Sequence, residues 1–249
     1  MTHPHIVRVF DQELERLRCQ VEAMGCFASA QLADAVRALA SDDLLLAERV
    51  VAKDQELDAW RHELSSTVVT MIALRQPLAI DLQEVVQNFR IVNALERIGD
   101  LAKNIAKRAN VVNTRLLEAE LLKRFMGFAA LVNEQLRQAL LAFVHRDVTK
   151  ALDLRRDDEQ IDKLHTDLFR DMVAYMETEH SHMVGYVHLL FCAKNIESVG
   201  DHATHIAEST YVIVTGLPLE KERRRFDQSS LIGEDCEPSA GRLDDNKVK

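Results

Sequence analysis

Four pairs of carboxylates spaced four residues apart are the side chains in this sequence best placed to do chemistry: Asp54 with Asp58, Glu96 with Asp100, Asp158 with Asp162, and Glu197 with Asp201. On a helix, residues four apart share a face, and like charges there cost a few tenths of a kcal/mol, so solvated acidic faces are the plain alternative to a binding site. Spacing alone does not decide between them, because 40 acids in 249 residues produce about six such pairs by chance and the chain has seven. Phase and repetition do favour a site. Asp54, Glu96 and Asp158 fall in phase with apolar stripes that should face a core, and the same set of four recurs in both halves. ERIGDLAKNIA (96–106) aligns on ESVGDHATHIA (197–207) with six of eleven positions identical at an offset of 101. Asp54, Leu57 and Asp58 fall on Asp158, Ile161 and Asp162 at an offset of 104. Carboxylates converging at one level raise one another's pKa values unless positive charge sits among them. An all-oxygen donor set of this kind suits a hard cation: iron, manganese, magnesium or calcium. Gly99 and Gly200 lie inside the repeated motif, each costing its helix about 1 kcal/mol relative to alanine. Close helix packing, or room for metal ions and their bridging ligands, would explain them.

Long helices must carry these groups. The chain has only 8 Gly and 4 Pro, and Pro77 is the single proline between His5 and Leu217. Phe10, Leu14, Leu17, Val21, Met24 and Ala28 recur at helical spacing, and so do Val50, Asp54, Leu57, Arg61, Leu64, Val68 and Met71. Val85, Phe89, Val92 and Glu96 continue the pattern beyond Pro77. Ser41, followed by Asp42 and Asp43, reads as a cap and first turn. Gln76 is restrained by Pro77, so a third helix is expected from about Pro77 to about Val112. The second half repeats the plan over about 114–144, 147–177 and 182–215. The fold class expected is therefore all-α, two tandem three-helix bundles over 1–112 and 113–218, with a loose charged tail over 219–249. If the second and third helices of each half form an antiparallel hairpin, turning at Gln76–Pro77 and near Glu179, the two acidic pairs of each half sit side by side, about 30 Å from the turn.

Composition excludes several functions. A net charge of -9 repels nucleic acid, and only residues 221–225 (KERRR) form a short basic run. No apolar run reaches the roughly 18 residues of a membrane span, and no signal peptide is evident, so a cytoplasmic location is expected. Cys19, Cys26, Cys192 and Cys236 show no metal-like spacing and are expected as thiols. There is no Gly-rich phosphate loop, nucleophile elbow or HExxH motif.

RQPLAIDLQ (75–83), LERIGDLAKNIA and NIESVGDHATHIA together resemble the PhoU family of phosphate-uptake regulators, over about residues 6–216. The resemblance implies paired three-helix bundles carrying multinuclear metal clusters, iron first among the candidate ions. Here the acidic motifs fall on Asp54, Asp58, Glu96, Asp100, Asp158, Asp162, Glu197 and Asp201. It implies no enzymatic activity. The implied role is negative regulation of the phosphate regulon, connecting the phosphate ABC transporter and its ATPase (PstB) to the sensor histidine kinase (PhoR). A homodimer is expected, reaching the membrane only through those partners. Departures from the repeat leave roles open for Asp81, which has no counterpart in the second half, and for His205, which replaces Asn104. His202, Arg61 and His165 stand in similar positions. Two other readings compete: a metal-free helical adaptor with acidic docking faces, and a di-iron carboxylate enzyme. The enzyme would need two Glu-x-x-His motifs, and the one candidate, Glu177 to His180, falls at the expected turn.

Overall fold

The structure is a computed structural model that describes residues 4–219 and Ser229. The expected tail from 220 onward, with its basic run and Cys236, otherwise lies outside the described residues. Six α-helices follow in order: α1 (Pro4–Ser41), α2 (Leu44–Arg75), α3 (Ile80–Arg108), α4 (Ala119–His145), α5 (Val148–Thr178) and α6 (Met183–Thr215). Short 3-10 turns, Thr114–Leu116 and His180–His182, precede α4 and α6. No strand occurs among the described residues.

The repeat is visible in the turns. Asp43 caps α2 by accepting from the Leu46 amide at 3.0 Å, and Asp147 caps α5 by accepting from the Lys150 amide at 3.0 Å. Each cap follows a residue in the left-handed region, Asp42 at φ 53° and Arg146 at φ 52°. The cap expected at Ser41 is thus two residues further on; Ser41 is the last residue of α1 and bonds back to the Arg37 carbonyl. The third helix also starts later than expected, at Ile80. Gln76 turns left-handed (φ 46°) and ends α2, and Ala79 adopts φ 51°, ψ -114°, which delays the first helical residue beyond Pro77.

The apolar stripes are buried as their period requires. Leu17, Val21, Met24 and Ala28 of α1 and Val50, Leu57, Leu64, Val68 and Met71 of α2 lie in the core. On α3 the buried stripe runs through Val85, Asn88, Val92, Leu95 and Ile98. Phe89, expected in that stripe, is instead 37 % exposed, and Glu96 sits on the stripe's edge rather than at its centre.

Helices α1–α3 form one bundle and α4–α6 the other, but they share a wall. The helices α3 and α6 run antiparallel along each other, with the Arg108 guanidinium over the Phe191 ring (5.2 Å) at one end and Gly216 against Ile80 and Gln83 at the other. The α2–α3 turn is therefore at one end of the molecule and the α5–α6 turn at the opposite end. Glu84, buried on α3, pairs with Arg146 at the α4–α5 turn and ties the bundles together. One continuous hydrophobic core spans both bundles.

Candidate metal centre

Each acidic pair is positioned by an antiparallel hairpin whose register the structure shows directly. In the first half, Lys103 of α3 reaches Asp54 of α2, Gly99 faces Leu57, and Arg61 faces Glu96. In the second half, Thr204 of α6 reaches Asp158 of α5, Gly200 faces Ile161, and Arg155 pairs with Glu208. This is the register expected from equal spacing about the two turns. Because α3 and α6 are also antiparallel, the charge of Arg97 on α3 is felt by His202 on α6, and the two copies of the motif pass each other at one level.

The glycines of the motif are explained by packing. A Cβ at Gly99 would land on Leu57 Cδ1, and one at Gly200 would lie 3.2 Å from Gln135 Oε1 and 3.4 Å from Ile161 Cγ2. What fills the space beside each glycine is a side chain of the neighbouring helix.

The first-half acids are met by the chain's own cations. Lys103 Nζ lies 2.5 Å from Asp54 Oδ2 and 2.6 Å from Asp100 Oδ1. Arg61 approaches Glu96 at 3.6 Å, and Arg97 approaches Glu96 at 3.9 Å and Asp100 at 3.5 Å. Burial opposes the charge on Lys103, but the hydrogen bonds to Asp100 and Asp54 outweigh it and raise its pKa. Glu96 has a raised pKa as well, from burial first and then from the negative charge of Asp100; Arg97 and Arg61 pull the other way, and Asp58 adds to the rise.

The second-half acids lie deeper. Asp158 and Asp162 are 2 % exposed and Glu197 is 4 % exposed, while Asp201 is half-buried. Asp158 Oδ1 accepts from Thr204 Oγ1 at 3.0 Å and from Gln135 Nε2 at 3.2 Å, and Lys194 Nζ lies 2.8 Å from Glu197. His165 is buried, with its ring centroid 6.1 Å from that of Phe128.

Among the described residues no three His, Cys, Asp or Glu side chains are arranged around a single point as metal ligands. Whether the donors fit a hard cation therefore rests on their chemistry. Buried carboxylates at this density are oxygen donors of the right type in both halves. In the second half the donor type fits: Asp158, Asp162 and Glu197 are buried carboxylates, with neutral donors on Asp158 Oδ1 and Lys194 held at Glu197. In the first half a divalent ion would have to displace an ammonium already bound by two carboxylates, and the set does not fit as it stands.

The structure also places the residues whose roles the sequence left open. Asp81 is exposed in the first turn of α3, more than four turns and roughly 22 Å from Glu96, so it starts its helix and does not join the cluster. His205 is exposed beside His202, with ring centroids 6.0 Å apart; burial, then the charges of His205 and Arg97, lower the His202 pKa to about 4. Glu177 and His180 are exposed at the α5–α6 turn, at the far end from the acidic pairs. Sequence reasoning missed Lys103, Arg97, Lys194, Thr204 and Gln135. Lys103 and Lys194 each stand three residues from an acid of the motif on the same helix, a signal that could have been followed, whereas Gln135 on α4 gave none.

The PhoU domain family matches residues 21–109 and 125–210. The chain is 41 % identical over 233 residues to the phosphate-specific transport system accessory protein PhoU homolog of Rhizobium meliloti (strain 1021), covering 94 % of this chain and 98 % of that protein. It is 37 % identical over 223 residues to the homolog of the same name in Caulobacter vibrioides (strain NA1000 / CB15N), covering 90 % and 97 %. In structure it is similar to PhoU from Pseudomonas aeruginosa, with a TM-score of 0.80 at 30 % identity over 84 % of this chain and 100 % of that one. The phosphate transport system regulatory protein PhoU from Streptococcus pneumoniae gives 0.79 at 25 %, over 85 % and 100 %. With both repeats matched, and with whole-length relatives that share more than a third of its residues, the chain belongs to the PhoU family.

Proposed function

We propose that this chain is an accessory protein of phosphate-specific transport that represses phosphate uptake and the phosphate regulon. It acts by protein contact, linking the phosphate ABC transporter and its ATPase (PstB) to the sensor histidine kinase (PhoR), and it catalyses no reaction. The observation that carries this reading is similarity over nearly the full length to relatives named for that transport system, with the family match spanning the segments that hold both acidic motifs. Among the described residues no helix is long and apolar enough to cross a membrane. The carboxylates of the second half, Asp158, Asp162, Glu197 and Asp201, would hold a hard cation, with iron first and manganese, magnesium or calcium as alternatives. Bound there, the ion would supply the positive charge that buried carboxylates need and would join α5 to α6.

Deleting the gene in its native host tests the regulatory role. Alkaline phosphatase or another phosphate-regulon reporter should then be expressed in high phosphate, and the gene supplied on a plasmid should restore repression. Normal repression in the deletion strain would refute the regulator reading. The metal-free adaptor alternative predicts no bound metal and no effect of Glu197→Gln.

A further inference from the structure

We infer that Lys103 is a built-in cation that occupies the first-half carboxylates Asp54 and Asp100 and keeps a divalent metal out of them. This rests on the contacts in the first half and stands or falls apart from the metal reading of the second half.

One repeat position carries two chemistries. At the offset of 101 that relates the two motifs, Lys103 falls on Thr204, and at the offset of 104 Asp54 falls on Asp158. The structure shows these two pairs making the same cross-helix bond, Lys103 to Asp54 at 2.5 Å and Thr204 to Asp158 at 3.0 Å. The hydroxyl brings no charge. The ammonium brings a full one, and it also bonds Asp100, the second acid of the E-xxx-D motif, at 2.6 Å. Lys103 is one turn from Asp100 on its own helix, so its ammonium is always at high local concentration, and a free ion must compete with a tethered one. Entry would break two charge-assisted hydrogen bonds and leave the ammonium to find new partners in a largely buried position. Arg61 and Arg97 add positive charge beside Glu96 that would repel an incoming cation.

The test uses full-length tag-free protein, stripped with chelator and then equilibrated with Mn²⁺ alone, and bound manganese is measured by electron paramagnetic resonance and plasma mass spectrometry. In wild type, Asp54→Asn/Asp100→Asn should leave bound manganese unchanged. Lys103→Met should bind about one more Mn²⁺ per chain through the freed oxygens, and adding Asp54→Asn/Asp100→Asn should remove that gain. Lys103→Arg should behave as wild type. The inference is overturned if the Asp pair variant lowers manganese in the wild-type background, or if folded Lys103→Met gains none. Glu197→Gln/Asp201→Asn serves as a separate arm: if it leaves wild-type manganese unchanged, the second-half assignment fails, while a gain in Lys103→Met would still place the ammonium in the first.

A measurement on wild type stands even where Lys103→Met does not fold. Acylation of Lys103, read by peptide mass spectrometry, should be roughly tenfold slower than that of exposed Lys123, with or without Mn²⁺, because its ammonium is held between two carboxylates in a largely buried position. Exposure of Lys103 on adding Mn²⁺ would show metal displacing it and would overturn the inference.

Discussion

Replacing Gly99 with alanine separates the two reasons a glycine could stand inside the acidic motif. The added methyl would land on Leu57 Cδ1, and Leu57 is only 1 % exposed, so its side chain cannot swing into solvent. Overpacking of this kind costs about 1–3 kcal/mol. The alanine returns about 1 kcal/mol of helix propensity, leaving a net loss of up to about 2 kcal/mol. At Gly200 the nearest atom is the end of Gln135, at 3.2 Å, which can yield by a few tenths of an ångström. There the propensity gain and the crowding should roughly cancel. Urea unfolding of metal-free protein should therefore place Gly99→Ala below Gly200→Ala by about 1 kcal/mol or more. In the Gly99→Ala background, Leu57→Ala should cost less than the roughly 2–5 kcal/mol of a buried Leu→Ala change, because the new methyl fills part of the cavity. If Gly99→Ala is as stable as Gly200→Ala in chelated protein and differs only after metal loading, the packing explanation is wrong and the glycine makes room for an ion.

Three further perturbations follow from the same geometry. His202 is held neutral by burial, so acidification from about 6.5 to about 4 protonates the unfolded chain first and should cost on the order of 2 kcal/mol, discounted for partial exposure. His202→Gln should flatten that part of the stability profile, and a His202 proton resonance titrating near 6.5 would contradict the burial argument. Glu96 has the opposite charge logic: its raised pKa means the ionised form is penalised in the folded state. Glu96→Gln should therefore melt slightly higher than wild type at neutral pH in metal-free protein, with the advantage vanishing as the pH falls below the ordinary glutamate value. An unchanged or lower melting temperature at neutral pH would show that Arg61 and Arg97 outweigh burial and Asp100. Ala79 sits at φ 51°, ψ -114°, a conformation that glycine adopts without a Cβ clash. Ala79→Gly should stabilise the α2–α3 turn by about 1 kcal/mol, and a destabilised variant would argue against strain there.

The helical period is a local property of the chain, and so its consequences were legible in the sequence. The stripes through Leu17, Val21 and Met24 and through Val50, Leu57 and Leu64 are buried where the spacing put them. Equal distances from the two turns correctly set Asp54 beside the Asp100 motif and Asp158 beside the Glu197 motif, because antiparallel hairpins of straight helices preserve register. Cap and start positions were less legible. Asp43 caps where Ser41 was expected, and α3 waits until Ile80, because left-handed residues at Asp42, Gln76 and Ala79 are chosen by how the helices must dock and not by local preference.

What a side chain meets across a helix interface was beyond the sequence, since it depends on the rotation of every helix about its axis. Phe89 and Val92 share one apolar pattern, yet the packing of α3 against α1, α2 and α6 buries Val92 and leaves Phe89 at the surface. The eight carboxylates and their repeat are written in the chain itself. Only the tertiary structure places an ammonium between Asp54 and Asp100 and a hydroxyl at the matching point beside Asp158, because those bonds join residues 49 and 46 positions apart, brought together by the docking of separate helices.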